Sequence, residues 1–279
     1  EQLMHDYRSK GKYVRMKEPE HFIKEIQLVK ESAVMKSLFF ADDLFTMNKP
    51  WLRRFLPLYK ERINIPYMCT TRANLMDEEI ASLLKDSGCH TVSFGIETGN
   101  EKIRKEVLQK PITDKEIVNC GNILKKNGIR IQTSNMFCLP GETLDDAFDT
   151  VKINIKIKAD FTYSTLFMPF PETNLANYCI EHGYLKEGFS FKDLPKSFLT
   201  HSILTLKDKD KIENVEKISH FLIRYPFLLA TIEKVVRNFK FKGLFYPLLF
   251  ISTFLRYKEE RRISFLNAIR FLWRFRKSY

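Results

Sequence analysis

What this sequence lacks narrows the choice of function before any motif is read. Its five cysteines, Cys69, Cys89, Cys120, Cys138 and Cys179, are odd in number, far apart and include no Cys-x-x-Cys pair, so they read as reduced, mostly buried thiols of a cytosolic protein. Only 10 Gly and 11 Pro occur in 279 residues, which excludes linker and low-complexity classes. No internal repeat is visible. The longest apolar run, Leu244 to Leu255, contains Pro247 and falls short of the ~20 residues that a spanning helix needs. The opening "EQLMHDYRSKGKYVRMK" has no apolar core and no initiating Met, so it is read as neither a signal peptide nor a natural start. There is no Walker loop and no Gly-x-Ser-x-Gly.

Charge is abundant but unevenly placed. The formal net charge is +12, and residues 238–279 hold ten Lys and Arg against two Glu, so eight of those twelve charges lie in the tail. The rest is nearly balanced. A phosphate-tracking surface over the main domain is not expected, and no nucleic-acid motif spacing is present. The last amphipathic stretch, Ile263 to Phe275, puts Phe265, Leu266, Ile269, Leu272 and Trp273 on one face, with Arg270, Arg274 and Lys277 on another. Docking on the main domain is the plainer expectation for this helix; peripheral contact with anionic lipid is the sharper one.

Between residues 19 and 184, β-branched and aromatic runs alternate with stretches of helical period. Strands are expected at 37–41, 64–71, 90–96, 129–137 and 160–167, and helices at 19–32, 49–62, 76–88, 113–128 and 144–158. Gly88 and Gly128 follow their helices as terminating glycines. Strict alternation implies parallel strands, hence a (β/α) barrel or a doubly wound sheet. After Leu185 the pattern changes to a short strand at "HSILTL" (201–206) and long helices from Lys209, so residues 1–184 form the barrel and 185–279 a mostly helical appendage.

In either fold the chemistry gathers where strands end. Those ends read "ADDLF", "TRAN", "GIETGN", "FCLPGET" and "MPFPET". Asn48 and Pro50 are better placed than Asp42 and Asp43 to start the following helix, which leaves the Asp pair for a site. Glu97 alone is as easily a solvated loop acid. In "LPGET", Pro140 and Gly141 fix a turn, and Glu142 lies just before a helix, where an acid also suits the positive end of the dipole. None of the six His falls at a strand end, so a His-based zinc or non-haem iron site is poorly supported. Composition and spacing stop at an enzyme-like (β/α) domain with an acidic ligand site.

Taken together and in order, "YRSKGKYVRMKEPEHFIKEI", "FFADDLFTMNKPWLRRF", "GCHTVSFGIETGNEKIRKEVLQKPIT", "MFCLPGET" and "MPFPETNL" resemble the radical S-adenosylmethionine superfamily. The likeness is greatest to the branch with an upstream cobalamin-binding domain, and it covers roughly residues 7–184. It implies a partial TIM-like barrel of parallel strands in an α/β fold. It also implies a nucleotide pocket made by Asp42, Asp43, Arg72, Glu97, Lys110, Asn135, Gly141 and Glu142. In that pocket Glu97 binds the ribose hydroxyls, Lys110 pairs with the methionine carboxylate where relatives often carry Arg, and Asp42 or Asp43 meets the methionine amino group. The "MFCLPGET" turn lies beside the adenine. No catalytic residue and no metal ligand is assigned.

One departure is large. The family binds a [4Fe-4S] cluster through Cys-x-x-x-Cys-x-x-Cys after its first barrel strand, and neither is found here. The matching begins almost at residue 1, so the chain is expected to be a fragment, inactive alone, of a longer protein that carries the cluster. By resemblance the cofactors are S-adenosylmethionine and the [4Fe-4S] cluster, with cobalamin as an optional third. The partners are a small-molecule or lipid-like substrate and an electron donor such as flavodoxin or ferredoxin. The location is cytoplasmic, with membrane association only through the C-terminal helix. Two other readings stay open: a cluster-free nucleotide-binding accessory protein, and a divalent-metal barrel enzyme using Asp42, Asp43, Glu97 and Glu142.

Overall fold

Five polar side chains start five of the helices. Asn48, Asp77, Thr113, Thr143 and Thr173 accept hydrogen bonds from the backbone N–H groups of Trp51, Ile80, Glu116, Asp146 and Ala176, each satisfying a donor the first turn leaves open. The computed structural model describes residues 15–195, 197, 199, 201–238, 246–261 and 266–267. Among these the order is α1 (Pro19–Ser32), β1 (Leu38–Phe40), α2 (Lys49–Arg62), β2 (Tyr67–Thr70), α3 (Glu78–Asp86), β3 (Cys89–Glu97), α4 (Asp114–Lys126), β4 (Arg130–Phe137), α5 (Leu144–Lys156), β5 (Phe161–Leu166), α6 (Asn174–Glu181), α7 (Lys209–Arg224), α8 (Leu229–Asn238) and α9 (Tyr246–Arg261). Gly88 and Gly128 end α3 and α4 at φ 96° and 63°, a backbone only glycine adopts without cost.

The five strands form one sheet in the order β1-β2-β3-β4-β5, parallel throughout, which makes the protein α/β and its sheet a partial barrel. Register aligns Phe40, Cys69, Val92 and Ile131 in one row, all buried against the helices. The next row, Thr70, Ser93 and Gln132, faces the other way and is polar. Under β1 and β2 the core is aromatic: Phe22, Phe40, Phe45, Trp51, Phe55, Tyr59 and Tyr67 pack edge-on or stacked.

The C-terminal region shares its core with the last two strands. Ile212, Val215, Ile218 and Leu222 of α7 cluster with Phe137, Phe148, Val151 and Leu166. The strand expected at 201–206 does not form. Glu213 accepts from Ser202 N–H at 2.9 Å, the Ser202 hydroxyl accepts from Leu204 N–H at 3.2 Å and Thr205 N–H donates to Tyr184 O at 2.9 Å, so side chains and one loop carbonyl take the donors that a ladder would use. The amphipathic stretch 263–275 lies outside the described residues apart from 266 and 267. Among the described residues no helix is long and apolar enough to cross a membrane.

Candidate functional site

Because the strands are parallel, their C-terminal ends share one rim, and at its centre β3 breaks its pairing with β4. The register runs Gly95 with Ser134 and then Glu97 with Asn135, and Glu97 takes φ 68°. That bulge in a non-glycine residue costs on the order of 1 kcal/mol and re-aims one side chain. The Glu97 carboxylate folds back over Gly95, where a Cβ would lie 2.3 Å from Oε1. Glycine here makes room for a carboxylate. Lys110 Nζ sits 2.5 Å from the same oxygen, and Oε2 has no hydrogen-bond partner among the described residues.

The turn after Glu97 is fastened to α5. Gly99 N–H donates to Thr150 Oγ1 at 2.7 Å, and a Cβ on Gly99 would meet the backbone of Asp149 and Thr150 at 2.2–2.3 Å. Asn100 Nδ2 donates to Asp146 Oδ1 at 2.7 Å, and Asn154 Nδ2 donates to Asn135 Oδ1 at 2.9 Å. Asp146, Thr150 and Asn154 repeat every four residues, so one helix face carries all three contacts. That face belongs to the helix that begins at the "LPGET" turn. The two turns are therefore held at a fixed distance.

This network decides what Asn135 does. Its side chain is 2% exposed and bonded to Asn154 and Thr133, on the helix-facing side of β4, and the structure does not bring it to Glu97. Glu142 is likewise turned inward. It is 4% exposed and accepts from Leu139 N–H at 3.1 Å, with Oε1 unpartnered. Burial pushes its carboxyl up to about 8, against the lowering effect of the Leu139 and Cys138 N–H groups. Gly141 has φ 78°, which the turn requires. Asp42 and Asp43 are exposed, and Asp42 O accepts from the Thr70 hydroxyl. Arg72 is half-buried at the end of β2; the carboxyl of Glu116 is lowered chiefly by its hydrogen bonds from the Thr113 N–H and hydroxyl, with the charge of Arg72 adding a smaller effect.

Metal chemistry on these side chains finds no geometry. Among the described residues no three His, Cys, Asp or Glu groups lie close enough to hold an ion, so Asp42, Asp43, Glu97 and Glu142 do not form the divalent-metal centre that was one reading of the sequence. A [4Fe-4S] cluster does not fit this chain's cysteines either. All five are buried and unpaired. Burial raises the thiols of Cys69, Cys120, Cys138 and Cys179, Cys120 and Cys179 to about 12, which opposes the thiolate form a cluster needs. S-adenosylmethionine does fit. It calls for an acceptor for two hydroxyls and a cation for a carboxylate, and Glu97 and Lys110 stand together at the rim, with the Glu97 carboxylate seated over Gly95.

The fold and site together define a parallel (β/α) partial barrel with an acid and base pair at the strand-end rim, the place where such sheets bind nucleotides. Residues 5–153 match the Radical SAM superfamily, and the chain belongs to that family. It is 31% identical over 176 residues to an uncharacterized methyltransferase of Pyrococcus horikoshii, covering 63% of this chain and 38% of that protein. It is 21% identical over 185 residues to the cytidylyl-2-hydroxyethylphosphonate methyltransferase of Streptomyces wedmorensis, covering 63% and 34%. The chain thus spans well under half the length of these relatives. Among solved structures, the fold is similar to the radical S-adenosylmethionine methyltransferase TsrM from Kitasatospora setae, solved with cobalamin and a [4Fe-4S] cluster bound, at a TM-score of 0.51 and 20% identity over 60% of this chain and 34% of that one.

Sequence reading took Gly95 only as the start of the "GIETGN" strand end and missed Thr150, Asn154 and Arg104. Gly95 was legible as a glycine inside a strand pattern, which signals a bulge or a close approach. The others act through tertiary contacts that no local pattern announces.

Proposed function

We propose that this chain is the S-adenosylmethionine-binding part of a radical enzyme whose complete form transfers a methyl group or carries a radical to a small-molecule or lipid-like substrate. The observation that carries the reading is the Glu97 and Lys110 pair over Gly95 at the rim. Glu97 accepts the ribose hydroxyls, using Oε2 and the remaining lone pairs of Oε1. Lys110, held beside Glu97, neutralises the methionine carboxylate of the ligand. The turn after Glu97, fixed to α5 through Gly99 and Asn100, holds the carboxylate in place before the ligand arrives, which lowers the ordering cost of binding. The names of the Pyrococcus and Streptomyces relatives favour methyl transfer.

The cluster and any cobalamin are held, in this reading, by parts of the whole protein outside these 279 residues; when bound, the cluster supplies the electron that opens the sulfonium. A flavodoxin or ferredoxin provides that electron. A cluster-free binding protein is the second reading, favoured by the five buried, scattered thiols. Iron and sulfide reconstitution of the complete protein separates the two. Thermal melts test the pocket itself: S-adenosylmethionine at about a hundred times its Kd adds about 2.7 kcal/mol of stability, whereas Mg²⁺ adds none. Stabilisation by Mg²⁺ and not by S-adenosylmethionine would contradict the proposal.

A further inference from the structure

Arg104 is the largest fully buried side chain among the described residues, at 1% exposure. It lies in the π-turn Ile103–Val107, which follows the Glu97 turn. A guanidinium taken out of water needs nearly all its donors satisfied. Nε donates to Ile112 O at 3.0 Å, Nη1 to Thr98 O and Nη2 to Asp114 Oδ1, with Glu101 Oε2 at 3.8 Å. One planar fork thus ties the residue after Glu97 to two residues just beyond Lys110.

Its grip on Lys110 comes from both sides. Lys110 N–H donates to the carbonyl of Arg104 itself at 2.8 Å, and Lys110 O accepts from Ile112 N–H at 2.7 Å, while Ile112 O is held by Arg104 Nε. Gln109, at φ 52°, turns the chain into this clasp. Glu97 has separate anchors in β3 and, through Gly99, in Thr150. We propose that Arg104 is the positioning residue that sets the Lys110 ammonium against Glu97, and so selects ligands that carry an α-amino-acid carboxylate beside the ribose. The proposal rests on the reading of Glu97 and Lys110 as nucleotide-binding groups. Lysine cannot replace Arg104, because an ammonium offers its donors from one point and cannot span Thr98, Ile112 and Asp114.

Titration calorimetry of the 279-residue chain with S-adenosylmethionine and with 5′-methylthioadenosine, which keeps the ribose but lacks the amino-acid end, tests it. Lys110→Ala is expected to lose about tenfold in affinity for S-adenosylmethionine, with 5′-methylthioadenosine changed less than about twofold. Arg104→Lys gives the same selective loss, and combining it with Lys110→Ala adds less than about twofold further, because both changes remove one contact. Asp114→Asn, which keeps every backbone bond and weakens only the Nη2 partner, loses about threefold for S-adenosylmethionine alone and decides the question where Arg104→Lys fails to fold. The proposal is overturned by wild-type affinity in the folded variant, by equal losses for both ligands, or by losses that multiply in the double variant. Unchanged S-adenosylmethionine affinity in Lys110→Ala would instead remove the underlying site assignment.

Discussion

The Lys110 ammonium lies 2.5 Å from Oε1 of Glu97, thirteen residues earlier in the chain, and a Cβ on Gly95 would stand 2.3 Å from that same oxygen. Two residues of opposite charge and one absent side chain define the same small volume. Stability and binding separate at each of these positions.

Gly95→Ala should leave the fold intact and empty the site. The atom in the way is the far end of a flexible carboxylate, which can swing out, and Gly95 has an ordinary strand backbone. Thermal melts should change by less than about 0.5 kcal/mol, as for a tolerated substitution. Binding of S-adenosylmethionine should fall to the level of Glu97→Ala.

Gly99→Ala should behave in the opposite way. Its Cβ would overlap the backbone of α5 at 2.2 Å, and a helix cannot swing aside. Denaturant unfolding should show a loss of about 1–3 kcal/mol, the range for a forced overlap in a packed region.

Glu97 holds a left-handed backbone for which only glycine is suited, at φ 68°. Glu97→Gly and Glu97→Ala remove the same carboxylate, yet the glycine variant should be more stable by about 1 kcal/mol because it relieves the strained backbone. Equal unfolding midpoints would contradict this.

These contrasts show what was legible in the sequence. Helix α1 and helix α2 run over the residues their caps and periodicity indicate, and the five strands follow in the expected parallel order. Side-chain direction was harder. Asn135 and Glu97 are register partners on neighbouring strands, but the bulge at Ile96 puts one toward α5 and the other toward the rim; Gly95 signals a bulge, yet alternation does not say which side chain it re-aims. Glu142 read as a pocket acid or an acid at a helix start; the "LPGET" turn instead folds it back on Leu139 N–H, and Thr143 takes the capping role. Arg104 sits in a charged sequence, "EKIRKEV", where burial of one charged residue in five depends on which carbonyls face it.

Stability should fall as pH rises because of Glu142. Its folded-state carboxyl titrates near 8, above the ordinary value of 4.5, so between these values the folded chain keeps a proton that the unfolded chain has lost. The contribution is full below 4.5 and is lost by the time pH passes 8. Glu216, also buried and raised to about 8, adds a slope of the same sign. Unfolding followed from pH 4.5 to 9 should lose on the order of a few kcal/mol, and Glu142→Gln, which cannot ionise, should flatten part of that slope. A slope unchanged in Glu142→Gln would place the proton elsewhere.

Calorimetric titration of S-adenosylmethionine into the wild-type chain and the Glu97→Ala variant, each first shown to be folded by its thermal melt, tests the central claim most directly. Two hydrogen bonds to a charged acceptor are worth about 1.5–3 kcal/mol each, so the variant should bind at least about a hundredfold more weakly. Equal affinity in the two proteins would mean that the turn ending β3 is not where the ribose is held.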